Sequence, residues 1–206
     1  MTLIEIITNN DYINQYKTDK ESRHRYCTSY YDQIFYNLKD KKLNILEIGI
    51  KNGSSLVLWN EYFKNSIVYG IDNSDLIGNR LDVYPRIKTI IQDAYRKELT
   101  SHLPLFDIII DDGLHMAYAQ LVTLRNLFHA VNDGGFYVVE DMGGGLDGHE
   151  MFSYYQEEVQ EIIAPHEYFY RGNMLIVCKN YTGLGEIERN GHGLPSRSFS
   201  PILNLQ

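Results

Sequence analysis

Five short apolar runs, each leading into a carboxylate, constrain this chain more than any other feature. "NILEIGI" (44–50) carries Glu47, "SIVYGID" (66–72) closes on Asp72 and "RIKTIIQD" (86–93) closes on Asp93. "FDIIIDD" (106–112) runs into Asp111 and Asp112, and "GGFYVVED" (134–141) into Glu140 and Asp141. Short β-branched runs of this kind read as buried strands. The segments between them have helical spacing. "SSLVLWNEYF" (54–63) puts Leu56, Trp59 and Phe63 on one face, and a further helix is expected over roughly 117–130. Strands alternating with helices imply right-handed crossovers and a parallel sheet covered on both faces.

The rest of the chain departs from that rhythm. "MFSYYQEEVQEII" (151–163) suits a helix, and "HEYFYRGNMLIVCKN" offers two strands about a tight "RGN" turn, so an antiparallel hairpin should close the sheet. In "HRYCTSYYDQIFYNL", Ile34, Phe35 and Leu38 predict a helix packed on the sheet ahead of its first strand. The expected organisation is one domain over 1–180, with 1–40 as a helical cap, followed by an irregular tail over 181–206. A length of 206 residues suits one domain with a full core. The formal charge of −8 argues against nucleic acid or an anionic membrane as partner. No apolar run approaches the roughly 20 residues of a membrane helix, and "MTLIEIITNN" does not read as a secretion signal. Cys27 and Cys178, far apart, read as free thiols in a reducing compartment. The expected location is cytoplasmic.

In "ILEIGIKNGSS" an acid, Glu47, precedes a loop with Gly49 and Gly53 that opens a helix at Ser54. Glycines there admit a ligand close to backbone, and the helix start supplies free N–H groups. The middle glycine of the dinucleotide fingerprint is missing. An acid two residues before the first glycine suits a ligand with a positive centre and an amino-acid moiety better than a pyrophosphate. Asp72 is placed to take two ribose hydroxyls, and Asp93 to bond the exocyclic amine of an adenine. Singly, each residue reads as a turn or a helix cap. Together and in that order they resemble the class I S-adenosylmethionine-dependent methyltransferases. That resemblance implies a Rossmann-like α/β fold with a mostly parallel seven-stranded sheet.

In such a sheet the fourth and fifth strands are neighbours, so Asp112, Glu140 and Asp141 should converge. Converging carboxylates repel unless a cation neutralises them, and all-oxygen ligands favour Mg²⁺, with Mn²⁺ or Ca²⁺ as variants, over Zn²⁺. The pair "IIDDGLH" and "VVEDM" resembles the metal-dependent sugar O-methyltransferases of macrolide biosynthesis (the mycinamicin and tylosin deoxysugar enzymes). It is similar as well to the cephalosporin hydroxylase-like group with its rhamnosyl O-methyltransferases. "TDKESRHRYCTSYY" fits the same family's D-K-x-x-x-H-x-Y-x-x-x-Y segment through Asp19, Lys20, His24, Tyr26 and Tyr30. The likeness covers roughly residues 18–142.

This resemblance implies a methyl transfer from S-adenosylmethionine to a sugar hydroxyl. Asp112, Glu140 and Asp141 become ligands of Mg²⁺, and His115, with Asp112, the catalytic pair in which His115 is the base. Tyr26, Tyr30, Glu47, Gly49, Gly53, Ser54, Asp72, Asp93 and Asp111 become the cofactor-binding set. Coordination to a dication would acidify and orient a poorly nucleophilic hydroxyl, and in-line placement would supply much of the remaining acceleration. "MGGGLDGHE" departs from the family in its glycine content, and His149 and Glu150 there are candidate substrate contacts. The extra N-terminal domain of some macrolide enzymes is not expected here, which makes a small-molecule sugar acceptor (deoxysugar, heptose, nucleotide-linked or capsule-type) at least as much the expectation as a macrolide. Family habit implies a homo-oligomer. The rivals are an O-methyltransferase of a catechol-like diol or other small-molecule natural product, a metal-dependent phosphoester hydrolase, and a non-catalytic nucleotide-binding module.

Overall fold

The computed structural model describes residues 1–22, 25–96, 102–142, 150–171 and 173–180. Seven strands form one sheet: β1 (Asn44–Ile48), β2 (Ile67–Asp72), β3 (Ile87–Ile91), β4 (Phe106–Asp111), β5 (Val131–Val139), β6 (Glu167–Arg171) and β7 (Met174–Cys178). Their order is β3-β2-β1-β4-β5-β7-β6. The first five are parallel, and β7 runs antiparallel between β5 and β6. Direction of winding reverses between β1 and β4, which opens a crevice at their carboxyl ends, the place where such sheets take ligands. Mostly parallel pairing with a C-terminal antiparallel hairpin is the expected architecture.

Two apolar layers cover the sheet, and strand alternation sorts the side chains between them. Ile45, Ile108, Ile110, Val138 and Ile176 face the N-terminal helices together with Trp59 of α5 (Ser54–Tyr62). Leu46, Ile48, Ile109, Tyr137 and Val139 face α6 (Ala117–Leu127) and α7 (Glu150–Ile163), with Leu121, Leu124, Val159 and Ile163. The helical cap is built from α1 (Leu3–Asn9), α2 (Asp11–Tyr16) and α3 (Asp19–Ser22), followed by a π-helical turn over Cys27–Tyr31 and α4 (Asp32–Phe35). A Thr2 capping box starts α1, with the Thr2 hydroxyl accepting from the Glu5 amide and the Glu5 carboxylate from the Thr2 amide.

Two elements differ from the sequence reading. The single helix expected around Ile34, Phe35 and Leu38 is broken into the π turn, α4 and a 3₁₀ turn (Tyr36–Leu38). The wider π turn lets Cys27 and Tyr31 both reach the core. Helix α5 is buried on more than the face of Leu56, Trp59 and Phe63: Val57, Leu58, Asn60 and Tyr62 are buried too. The cause is tertiary, because α1 and α2 pack on its outer side. Among the described residues no helix is long and apolar enough to cross a membrane.

Gly49 turns the chain at the mouth of the crevice. Its φ is +90°, and a Cβ there would meet the Asp112 carbonyl oxygen at 2.2 Å. Only glycine fits, since both the backbone angle and the space exclude a side chain. Gly49→Ala is expected to cost more than about 2 kcal/mol, read as a lowered midpoint in urea unfolding.

Candidate functional site

The carboxyl ends of β1, β2, β3 and β4 open on a cavity of about 640 Å³. Gly49, Ser54, Asp72, Asp93, Asp112 and His115 all line it, so both glycine-loop residues and strand-end acids meet in one space. Gly53 stands just behind, in a left-handed conformation that caps α5. Asp72 is held by three loop amides. Its Oδ2 accepts from Ile50 at 2.8 Å and Lys51 at 3.0 Å, and its Oδ1 accepts from Ser74 at 2.9 Å. Asp93 Oδ1 accepts from the Tyr95 amide at 2.9 Å. Both acids are therefore fixed at the edge of the cavity before any ligand arrives.

Alternation along the strands decides which acids meet. Glu47 follows Leu46 onto the face of the N-terminal helices, and Asp112 and Glu140 come to that same face from β4 and β5. Three carboxylates so placed require a cation, and the chain supplies one. Lys20 of α3 is fully buried, with Nζ 3.0 Å from Glu47 Oε1, 3.0 Å from Asp112 Oδ2 and 2.7 Å from Glu140 Oε1. Burial depresses the Lys20 pKa, but Asp112, Glu140 and Glu47 more than offset it and hold the ammonium charged. Tyr31 also donates to Glu140 Oε1. Burial raises the Glu140 pKa against the pull of Lys20. It raises that of Glu47 in the same way. Glu47 thus lies beneath the cavity rather than among its lining residues.

Asp111, one residue earlier, turns to the other face of the sheet, where it and Thr123 also line the cavity. Thr123 of α6 donates to its Oδ2 and the Gly113 amide to its Oδ1. Burial lifts its pKa from 3.8 to about 6. Asp112 behaves otherwise: burial opposes ionisation, but Lys20 and His115 outweigh it and hold the pKa low. Two adjacent aspartates are separated in acidity by which face of the sheet they occupy.

The reactive corner lies where Asp112, His115 and Asp141 meet. His115 Nε2 is 3.1 Å from Asp112 Oδ1, and Nδ1 is 3.7 Å from Asp141 Oδ2. The hydrogen bond to Asp112 raises the His115 pKa. Each of the three offers one ligand atom, all within 4.8 Å of one another. Oxygen-rich, half-open and beside the cavity, this set fits a hard divalent cation. Asp141 leaves β5 with φ +47°, and its Oδ1 accepts from the Tyr26 hydroxyl at 2.6 Å and the Asn173 amide at 2.8 Å. Tyr26 therefore sits on Asp141, and Tyr30, half-buried beside it with ring centroids 6.4 Å apart, is likewise outside the cavity lining.

Lys20, Tyr31, Thr123 and Asn173 were given no role by the sequence reading. For Lys20 a signal existed: alternation puts Glu47, Asp112 and Glu140 on one face, and that face needs a positive charge. The expectations for His24, the glycine-rich residues 143–149 with His149, the Glu150 side chain and the tail over 181–206 lie outside the described residues.

No family model matches the chain. It is 35% identical over 136 residues to an 8-demethyl-8-alpha-L-rhamnosyl tetracenomycin-C 2'-O-methyltransferase of Streptomyces olivaceus, covering 61% of this chain and 35% of that protein. It is 32% identical over 140 residues to the mycinamicin VI 2''-O-methyltransferase of Micromonospora griseorubida, covering 63% and 34%. Among solved structures, the MycE methyltransferase of the mycinamycin pathway, in complex with Mg, SAH and mycinamycin VI, matches with a TM-score of 0.68. Identity there is 25%, over 84% of this chain and 55% of that one. A Methanococcus jannaschii fibrillarin shares the fold alone, with a TM-score of 0.56 at 16% identity over 68% of each chain.

Two outcomes follow from the buried charges. Lys20→Met leaves three carboxylates without their cation and is expected to cost about 3–5 kcal/mol, measured by denaturant unfolding. Asp111, whose pKa is raised in the folded state, contributes stability that is complete below pH 4 and is lost as pH rises towards 6. The span from 3.8 to about 6 is worth about 3 kcal/mol. Asp111→Asn should flatten the pH dependence of stability between pH 4 and 6, with EDTA present to keep metals out.

The chain spans about a third of the length of the curated relatives it matches, and over that stretch it has the class I methyltransferase fold with sequence similarity to sugar O-methyltransferases.

Proposed function

We propose that this chain transfers a methyl group from S-adenosylmethionine to a hydroxyl of a sugar acceptor, in a reaction that depends on Mg²⁺. The observation that carries this reading is the meeting of Asp112, His115 and Asp141 at the edge of a cavity lined by Gly49, Ser54, Asp72 and Asp93. A donor site and a base-plus-acid corner share one space, as an alkyl transfer to oxygen requires.

In this reading Asp72 takes the ribose hydroxyls with the carboxylate edges its loop amides leave open, and Asp93 takes the adenine amine. The Gly49 turn lets backbone approach the amino-acid end. Asp112 and Asp141 would hold Mg²⁺, which would supply positive charge that acidifies and orients a hydroxyl; Glu140, the third acid of the expected set, is held instead by Lys20 and Tyr31. His115 removes the hydroxyl proton as the acceptor oxygen forms its bond to the methyl carbon. The carbon–sulfur bond breaks, and its electron pair stays on sulfur to leave S-adenosylhomocysteine. Asp112 orients the imidazole through Nε2 and stabilises the imidazolium that forms. The net charge of −8 supports a small-molecule acceptor rather than nucleic acid or an anionic membrane. Buried free thiols at Cys27 and Cys178 support a reducing, cytoplasmic setting. The homo-oligomer implied by the resemblance is part of the same reading.

The test is release of S-adenosylhomocysteine with a panel of nucleotide-linked and free deoxysugars and heptoses, in Mg²⁺ and in excess EDTA. Turnover should vanish in EDTA and return with Mg²⁺. His115→Ala should lower turnover by about 10²–10⁴-fold while donor affinity stays within a few-fold. Turnover indifferent to EDTA would sink the metal-assisted part and leave the methyl transfer. No turnover and no S-adenosylhomocysteine binding would overturn the whole reading.

A further inference from the structure

We infer that Asn173, in the turn between β6 and β7, is a positioning residue that aims Asp141 at the cation, with Tyr26 as its partner. The inference rests on the metal-dependent reading above and names the device that makes the site rigid.

Asp141 is an awkward residue to place. It follows the last residues of β5 in a left-handed backbone conformation, φ +47°, which non-glycine residues adopt at a cost. Its side chain is largely buried. Something must hold both backbone and carboxylate, and the structure puts both tasks on Asn173. The Asn173 carbonyl accepts from the Met142 amide at 2.9 Å, fixing the chain immediately after Asp141. The Asn173 side-chain amide donates to Asp141 Oδ1 at 2.8 Å. The Tyr26 hydroxyl closes the triangle, 2.6 Å from Asp141 Oδ1 and 2.5 Å from Asn173 Oδ1.

These contacts fall on one oxygen. Oδ1 carries both donors, while Oδ2 is the atom 3.7 Å from His115 Nδ1. Two donors on Oδ1 fix the carboxylate and with it the direction of Oδ2. Here that direction is the corner shared with Asp112 and His115. Neither Asn173 nor Tyr26 belongs to the group of potential ligands, so neither would contact the ion or the reacting atoms. Their effect runs through Asp141. A side chain needed only for the hairpin turn would not also donate to an acid that comes from another strand. Outer partners of this kind typically set metal affinity by 10–100-fold.

The test is calorimetric titration of the folded protein with Mg²⁺, in the presence of saturating S-adenosylhomocysteine, for wild type, Asn173→Ala and Tyr26→Phe. Asn173→Ala should weaken Mg²⁺ binding by about 10-fold or more, and Tyr26→Phe by a smaller factor in the same direction. Affinity for S-adenosylhomocysteine, titrated separately, should stay within about two-fold, because neither residue lines the donor cavity. Mg²⁺ affinities within about two-fold of wild type in both variants would overturn the inference. Should Asn173→Ala fail to fold, Tyr26→Phe, which removes one hydroxyl, decides alone: weakened Mg²⁺ binding supports the inference and unchanged binding overturns it. A wild-type protein that takes up no Mg²⁺ would instead overturn the metal-dependent reading, and this inference with it.

Discussion

One buried ammonium holds together the ends of three strands. Lys20 meets Glu47 from β1, Asp112 from β4 and Glu140 from β5, and all but Asp112 are almost wholly removed from water. An isolated carboxylate in such a place would cost several kcal/mol even after relaxation. Sharing one cation, with Tyr31 adding a hydrogen bond to Glu140, makes burial of three acids tolerable. The ammonium comes from α3, so the helical cap is joined electrostatically to the sheet's carboxyl edge at the point where the site is built. Tyr26 on Asp141, Tyr12 on the Asn52 carbonyl and the Asn52 side chain on the Tyr16 carbonyl add hydrogen bonds between the cap and the site.

The two acid pairs divide their labour by geometry. Asp111 and Asp112 are neighbours in sequence, yet strand alternation sends them to opposite faces. Asp111, under α6 with Thr123, is pushed towards the protonated form. Asp112, between Lys20 and His115, is kept ionised. At the end of β5 the same alternation turns Glu140 onto Lys20, but Asp141 leaves the strand through a left-handed turn. That turn brings its carboxylate to Tyr26 and the hairpin, with the remaining oxygen towards His115. At each strand end one acid of the pair faces the reactive corner, while Asp111 lines the cavity beneath α6 and Glu140 meets Lys20.

In the proposed reading, a donor cavity adjoins a carboxylate–histidine corner. On that reading the sulfonium and a dication would both bring positive charge to a corner that already holds Asp112 and Asp141. The tetracenomycin relative is named for a rhamnosyl group carried on a larger molecule, and the sequences of the curated relatives run well beyond the shared stretch. The glycine-rich sequence after Met142 is where the chain departs from the resemblance.

The order of strands and helices and the gathering of strand-end acids at the carboxyl edge of the sheet were legible in the sequence. Those features rest on local periodicity and on a fixed chain direction, which a linear pattern records. Gly49 was legible for the same reason: a strand end followed by a tight turn demands it. The broken helix before β1, the all-round burial of α5 and the roles of Lys20, Tyr31 and Asn173 were decided by the tertiary structure. They depend on which distant side chains share a face or an oxygen atom. Lys20 and Glu140 are 120 residues apart, and only folding turns two such charges into a single buried group. Asn173 reads in sequence as a hairpin turn; three-dimensional closure makes it the partner of an acid 32 residues earlier.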